Sequence, residues 1–242
     1  DSPLAERRAA ALSVDPALLG ELLGTVEMRE LLDPEVIAQF EREAQRLDPQ
    51  RRARGVEGVA DLLRLLGPLD STEVAARLQD SASEDETASE VDAAALLAEL
   101  VTARRAIPVT IAGRSRVAAI EDAGRLRDAL GVALPTGIPV AFLEPLVDPL
   151  GDLVSRHART HGPFTTAAVA DRLGIGAAVA RHTLQRLESA GRLTSGFFLP
   201  AGAADPSGEQ EWCDSEVLRR LRMRSLAAIR GSVEPVSPQA YA

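Results

Sequence analysis

Residues 162–200 read GPFTTAAVADRLGIGAAVARHTLQRLESAGRLTSGFFLP, and the order of signals in this stretch decides the fold. A Gly-Pro stop is followed by one apolar residue, Phe164, suited to a short edge strand. Thr165 or Thr166 then caps a short helix, because a side-chain hydroxyl can accept from the unpaired N–H groups of a first turn. Leu173-Gly174-Ile175-Gly176 makes a tight turn into a further helix, whose expected buried stripe is Val179, Thr183, Leu184 and Leu187. Gly191 suits the left-handed position that ends it. Residues 192–199 and 211–213 can pair as a hairpin around a polar loop at 201–210. With the helix DLVSRHARTH (152–161) in front, the order is helix, helix-turn-helix and two-stranded wing, which is the winged-helix order.

The same pattern stands 95 residues earlier. GPLDSTEVAARL (67–78) lies in register with GPFTTAAVADRL, pairing Leu69 with Phe164, Val74 with Val169, Arg77 with Arg172 and Leu78 with Leu173. VEGVADLLRLL (56–66) precedes it, with Asp70 or Ser71 as the next cap, and VDAAALLAELVTARR (91–105) follows. AIPVTIAGRSRVAAIED then alternates as two strands about a tip at Ala112–Ser115. Two copies of one small unit is the economical reading. The first copy departs from the second in an acidic, Ser-rich insertion at 79–91, which lacks an apolar anchor and is expected to be a mobile loop. Its negative field lies beside a third helix whose basic residues, Arg104 and Arg105, come only at the end. This copy is therefore expected to be mainly structural, with Arg114 and Arg116 of its wing as candidate phosphate contacts.

The expected fold class is mainly α with small β wings (α+β), as tandem winged-helix domains. Residues 1–48 are a helical lead-in or the end of a preceding module, and 49–134 the first winged helix with its insertion at 79–91. Residues 135–150 are a proline-rich linker too apolar for a free tether, expected to pack along both copies. Residues 151–213 are the second winged helix, and 214–242 a C-terminal helix and tail. Within the lead-in, residues 3–23 read as a helix interrupted by Pro16. Asp33 caps a second helix starting at Pro34, with Val36, Ile37, Phe40, Ala44 and Leu47 on one face. Val217, Leu218, Leu221, Leu226 and Ile229 form the stripe of the last helix, against which Trp212 is expected to pack.

Composition narrows the function. Aromatics are only 3% of 242 residues, too few for a rich base-stacking platform. All 27 basic residues are Arg, which a GC-rich genome explains without function. The net charge of -9 is uneven: residues 1–150 carry -11, and 151–242 carry +2, so a polyanion surface belongs to the last third. One Cys and three His leave little for a zinc cluster, and His157 and His161, four apart on a helix, are not expected to ligate a metal because no carboxylate partner fits the spacing. Without Lys there is no phosphate-cradling Gly-rich loop of the Walker type, and no nucleophile elbow occurs. No apolar run approaches the roughly 18–20 residues that cross a membrane. The start has no initiator Met and no apolar signal segment, so the chain is expected to be a piece of something larger and cytoplasmic.

The candidate nucleic-acid-binding residues follow from helical spacing. Arg181, His182, Gln185 and Arg186 lie opposite the buried stripe of the second copy's third helix, with Arg192 just beyond. Guanidinium, imidazole and amide groups are those that meet phosphates and base edges. Arg219, Arg220, Arg222 and Arg224 form a dense basic cluster on the last helix, and Arg51, Arg52 and Arg54 a weaker one.

GPFTTAAVADRLGIG, LQRLESAGRLTSGFFLP and EWCDSEVLRRLRMRSLAAIR resemble a winged-helix segment of the large Lhr-type DNA helicases of actinobacteria. ELLDPEVIAQFEREAQRL, RRAIPVTIAG and FLEPLVDPLGDLV look like the preceding part of the same C-terminal region. The resemblance covers nearly the whole chain. It implies a parent that is a superfamily 2, ATP-driven, 3'-to-5' DNA translocase in DNA repair, with its motor upstream. ATP and Mg are then expected only in that motor, and no cofactor in this segment. The implied partners are single-stranded or duplex DNA, other modules of the same polypeptide, and further copies through the C-terminal region. The alternative is a purely structural or oligomerisation scaffold.

Overall fold

The computed structural model describes residues 29, 31–79, 86–199 and 208–232. The expected helix at 3–23, the centre of the acidic insertion, most of the 201–210 loop and the tail lie outside the described residues. Helix α1 spans Pro34–Ala44, and the Asp33 carboxylate accepts from the Glu35 N–H at 2.8 Å as its cap. Ile37 and Phe40 are its buried face.

The first unit comprises α2 (Gly55–Leu66), α3 (Ser71–Ala75), α4 (Glu86–Thr102), β1 (Ala106–Ile111) and β2 (Arg114–Ala119). The cap of α3 is Asp70 rather than Ser71: its side chain accepts from Glu73 N–H while the Glu73 carboxylate accepts from Asp70 N–H, a reciprocal capping box. Helix α4 begins at Glu86, which corrects the expectation of a loop through residue 91. The insertion lacks an apolar anchor, but its second half is rich in Glu and Ala, good helix formers. The packed helix that follows supplies the nucleus, so extension adds no nucleation cost. Strands β1 and β2 are antiparallel, with Ile111 opposite Arg114. Ala112 and Gly113 turn the chain with φ of 52° and 72°, the left-handed pair that matches strand twist.

Helix α5 (Ala123–Leu130) follows the wing. The second unit comprises α6 (Pro149–Thr160), α7 (Thr166–Leu173), α8 (Ala177–Ser189), β3 (Leu193–Gly196) and β4 (Glu211–Asp214), and α9 (Ser215–Ser232) closes the described chain. Thr165 is the cap of α7, accepting from Ala168 N–H at 3.1 Å. In each unit a single residue after the Gly-Pro stop bridges the wing: Leu69 pairs with Val117, and Phe164 with Trp212. Both pairs keep the 95-residue offset.

Each unit has its own core. Val59, Leu63, Leu69, Val74, Leu97 and Leu100 fill the first, and Val154, Phe164, Val169, Leu184, Leu187 and Trp212 the second. The buried stripe of α8 is Ala180, Thr183, Leu184 and Leu187, whereas Val179 is half exposed. The buried row is i, i+3, i+4 and i+7 from Ala180, and Val179 lies one position off it, which turns it outward. Trp212 also departs from expectation: it packs in the second unit's core, with its indole N–H donating to Thr166 Oγ1 at 3.0 Å. Alternation along β4 then sends the neighbouring Cys213 to the other face, against α1 and α9. A third layer joins the units: Ile107, Val109 and Ile111 of β1 meet Leu126 of α5 and Leu153 of α6. Ile138, Phe142 and Leu143 pack on that layer, and Arg127 donates to the Leu143 carbonyl at 3.0 Å.

Candidate nucleic-acid interface

Packing of Thr183, Leu184 and Leu187 into the core fixes the rotation of α8, and the opposite face exposes Arg181, His182, Gln185 and Arg186. Two of the four are tethered by carboxylates. Arg181 donates to Glu209 at 2.6 Å, and Arg186 grips Asp148 with two bonds of 2.6 and 2.8 Å. Asp148 also caps α6 through the Gly151 N–H at 3.1 Å. The Arg186 hydrogen bonds hold its carboxyl below the usual range, and the same pairing raises Arg186. Arg192 is exposed beyond the helix end and adds its field to that of Arg186 at Asp148.

The last helix divides its arginines. Arg219 and Arg220 face solvent, with Arg219 bound to Glu216 at 2.7 Å. Arg222 is buried, and Arg224 reaches Glu43 at 2.9 Å with its guanidinium over the Phe40 ring. The expected cluster of four is therefore an exposed pair, a buried Arg222 and a part-exposed Arg224, because α9 buries a broad face through Val217, Leu218, Leu221, Ser225 and Leu226, and positions 222 and 224 fall towards its opposite edges. On the first wing Arg114 is exposed, but Arg116 is buried and donates to the Arg172 carbonyl at 3.1 Å. An open groove of about 600 Å³ runs past Arg114, Arg116, Ala168, Asp171, Arg172 and Gly174. Arg51 approaches Glu43 at 3.3 Å and Arg54 donates to Gln79, so that weaker cluster is also spent on local contacts.

The two wings meet their surroundings differently. Gly174, with φ of 66°, turns the chain between α7 and α8, and a Cβ there would lie 2.9 Å from the Ala112 N atom. The tip of the first wing is thus seated on the helix-turn-helix corner of the second unit.

Sequence spacing did not find the polar seam behind this contact. Arg77 donates to the Gln45 carbonyl and side-chain oxygen, both at 2.8 Å, and to the Glu73 carbonyl at 2.7 Å. Arg172 pairs with the Glu73 carboxylate and donates to the Pro68 carbonyl at 2.8 Å. Burial pushes Glu73 up, but Arg172 and the Asp70 N–H outweigh it and hold the carboxyl low. Arg156 binds Asp122 with two bonds of 2.5 and 2.7 Å. His157 and His161 stack at 3.9 Å, and burial holds the His157 imidazole well below its ordinary pKa and therefore neutral. The one signal available was the register itself, since Arg77 and Arg172 are equivalent positions of the repeat.

Among the described residues, no group of three or more His, Cys, Asp or Glu is placed to hold a metal, and no helix is long and apolar enough to cross a membrane. The residues present do not fit a nucleotide motor, since the chain has no Lys to place on a phosphate-cradling loop.

Helix, capped helix-turn-helix and bridged wing, twice over, define a mainly α protein with winged-helix topology. Residues 30–145 match the winged-helix domain family of the large helicase-related protein. Over all 242 residues the chain is 56% identical to a Mycolicibacterium smegmatis protein described as Lhr helicase/probable uracil glycosylase, of which it spans 15%. It is 42% identical, again over 242 residues, to the Escherichia coli Lhr helicase/uracil glycosylase, of which it spans 14%. The chain is a winged-helix segment homologous to the C-terminal region of Lhr-type helicases.

Proposed function

We propose that this chain is a non-catalytic, DNA-engaging segment of an ATP-dependent 3'-to-5' DNA repair helicase, and that its second winged helix makes the DNA contact. One contrast carries the reading. The exposed side of α8 presents Arg181, His182, Gln185 and Arg186, whereas the exposed side of α4 presents Asp92, Ala95, Glu99 and Thr102. Polyanion attraction favours the first and opposes the second. Arg192, Arg219, Arg220 and Arg114 are the further exposed guanidiniums that would meet phosphates. Arg116 and Arg222 are left out of the interface because they are buried, and Arg224 because it lies against Glu43 and the Phe40 ring, away from α8. In this reading ATP and Mg act in a motor elsewhere in a cytoplasmic parent, and other modules of that polypeptide are the protein partners.

The first unit has the other task, as a scaffold. The observation favouring it is the seating of the first wing on the Gly174 corner through Ala112, which ties that wing to the second unit while Arg114 beside it stays exposed. Self-association through the C-terminal region belongs to the same scaffold role.

Fluorescence anisotropy of labelled single-stranded and duplex DNA across a salt series tests the assignment. Removing two contacts with Arg181→Gln and Gln185→Ala is expected to weaken binding about tenfold, and to lower the salt slope by about one phosphate contact. Asp148→Asn, which keeps a capping side chain but frees Arg186, is expected to tighten binding. Salt-insensitive or unchanged binding in these variants would move the whole chain to the scaffold reading.

A further inference from the structure

Between the two units lies a cavity of about 270 Å³, walled by Arg77, Glu73, Arg116, Arg172, Arg156 and His157. Its charge is unbalanced. Arg156 is neutralised by Asp122 and Arg172 by Glu73, and Glu73 is the one carboxylate among the described residues that line the cavity. Among the described residues Arg77 hydrogen-bonds to neutral oxygens of Gln45 and Glu73, with the Glu73, Glu41 and Asp70 carboxylates attracting it from further off. Arg116 donates to a backbone carbonyl and stands 3.8 Å from Glu73, with Asp70 beyond. Both residues are buried, at 9% and 5% exposure. Neither guanidinium is hydrogen-bonded to a carboxylate in the wall, and a buried cation is costly unless an anion pairs with it closely.

Arg116 Nε and His157 Nε2 are buried without a hydrogen-bond partner among the described residues, Arg116 Nε standing 3.8 Å from the Glu73 carboxylate, and both residues belong to the cavity wall. Buried polar groups left this way are rare in folded proteins. A guanidinium carries five N–H donors, so Arg77 and Arg116 keep donors beyond the bonds they make to the protein. At about 30 Å³ per water, the cavity has room for a tetrahedral oxyanion with several waters. Guanidinium forks suit the oxygens of such an ion.

We propose that the inter-unit cavity is a binding site for one oxyanion of the phosphate class, held by Arg77 and Arg116, which locks the two winged helices together when bound. The site does not depend on DNA contact by α8.

Inorganic phosphate is titrated into the full 242-residue chain, following thermal unfolding and calorimetric heat, against chloride at matched ionic strength. Phosphate is expected to raise the unfolding temperature where chloride does not, by mass action on the folded state. Arg116→Gln is expected to weaken phosphate at least tenfold. Glu73→Gln, which keeps an acceptor for the Asp70 cap but removes the competing charge, is expected to tighten it severalfold. If Arg116→Gln fails to fold, the direction of the Glu73→Gln change decides alone. Equal effects of phosphate and chloride on the native chain, or a Glu73→Gln variant with weaker phosphate binding, would overturn the site. Competition between phosphate and short oligonucleotides identifies the source once binding is seen. Displacement only by a 5'-phosphorylated strand assigns the ligand to a strand end, and no displacement by either strand assigns it to the free ion.

Discussion

One residue before each wing's bridge position, the first unit carries Arg116 and the second carries Glu211, and both are buried. Arg116 reaches out of its unit to the Arg172 carbonyl. Glu211 turns to its own chain, accepting from the Phe198 N–H at 2.6 Å and the Leu199 N–H at 3.2 Å, and pairs with Arg29 at 3.5 Å. The same topological place thus serves an inter-unit contact in one copy and the closure of the wing in the other. Residues on the shared core, such as Val74 and Val169, keep their roles because both units must bury the same helix faces. Positions at the unit surfaces are released from that constraint, and there the copies diverge. The third helices follow the same rule, acidic on the exposed face of α4 and basic on that of α8.

The comparison is sharpest at the bridge. Trp212→Ala should cost about 3–5 kcal/mol, since it empties the centre of the second core and strands the Thr166 hydroxyl. Val117→Ala, at the equivalent but half-buried place, should cost about 1–2 kcal/mol. Denaturant unfolding of the two variants checks the asymmetry, and equal losses would break it.

Seating of the first wing is tested next with two glycines in the left-handed region. Gly191→Ala, where an added Cβ meets nothing within 4 Å, should lose only the conformational term of about 1–2 kcal/mol. Gly174→Ala adds backbone overlap with Ala112 and should lose more, with faster proteolysis between the units. Identical losses would mean that the wing tip contributes nothing to holding the units together.

The smallest effect is a pH slope. His157 stands where the first unit has Leu62, and burial, reinforced by His161 and Arg172, keeps it neutral when folded. The unfolded chain takes up that proton near pH 6.5, and the folded chain resists it. Stability is therefore intact above about pH 6.5 and falls below it, by at most about 1.4 kcal/mol per pH unit for this group. His157→Leu should flatten the slope between pH 7 and pH 5, leaving the share of His161, whose pKa burial also lowers. An unchanged slope would show that His157 is solvated in the folded chain.

Much of the second unit is legible in the sequence because its signals are local. A cap at Thr165 or Thr166, a tight turn at Gly174, Gly191 in the left-handed region, and the Leu184 and Leu187 stripe each follow from a few neighbouring residues. Asp33 before Pro34 is another local signal that the structure matches. The misread residues share a different origin. Val179 lies one position off the buried row of its helix, and Trp212 lies on a strand that separates two cores. Arg222 and Arg224 sit on a helix whose buried face is broad enough to take in Arg222 and to bring Arg224 against Glu43, whereas spacing makes the dense basic run read as a surface. Of the candidate interface, the α8 face could be read from spacing, but the Arg186 tether to Asp148 spans 38 residues and could not.

The sequence alone determined two winged-helix units in fixed register, the pair of residues from which each cap comes, the turns, and most of the α8 stripe, because these depend on short-range sterics and burial periodicity. Only the tertiary structure decided which arginines face solvent, where the first wing comes to rest, and that Arg77, Arg116 and Arg172 converge on Glu73. The physical reason is that a guanidinium satisfies its donors equally well in water or against any carbonyl within reach, so its direction is set by the neighbours that folding brings to it.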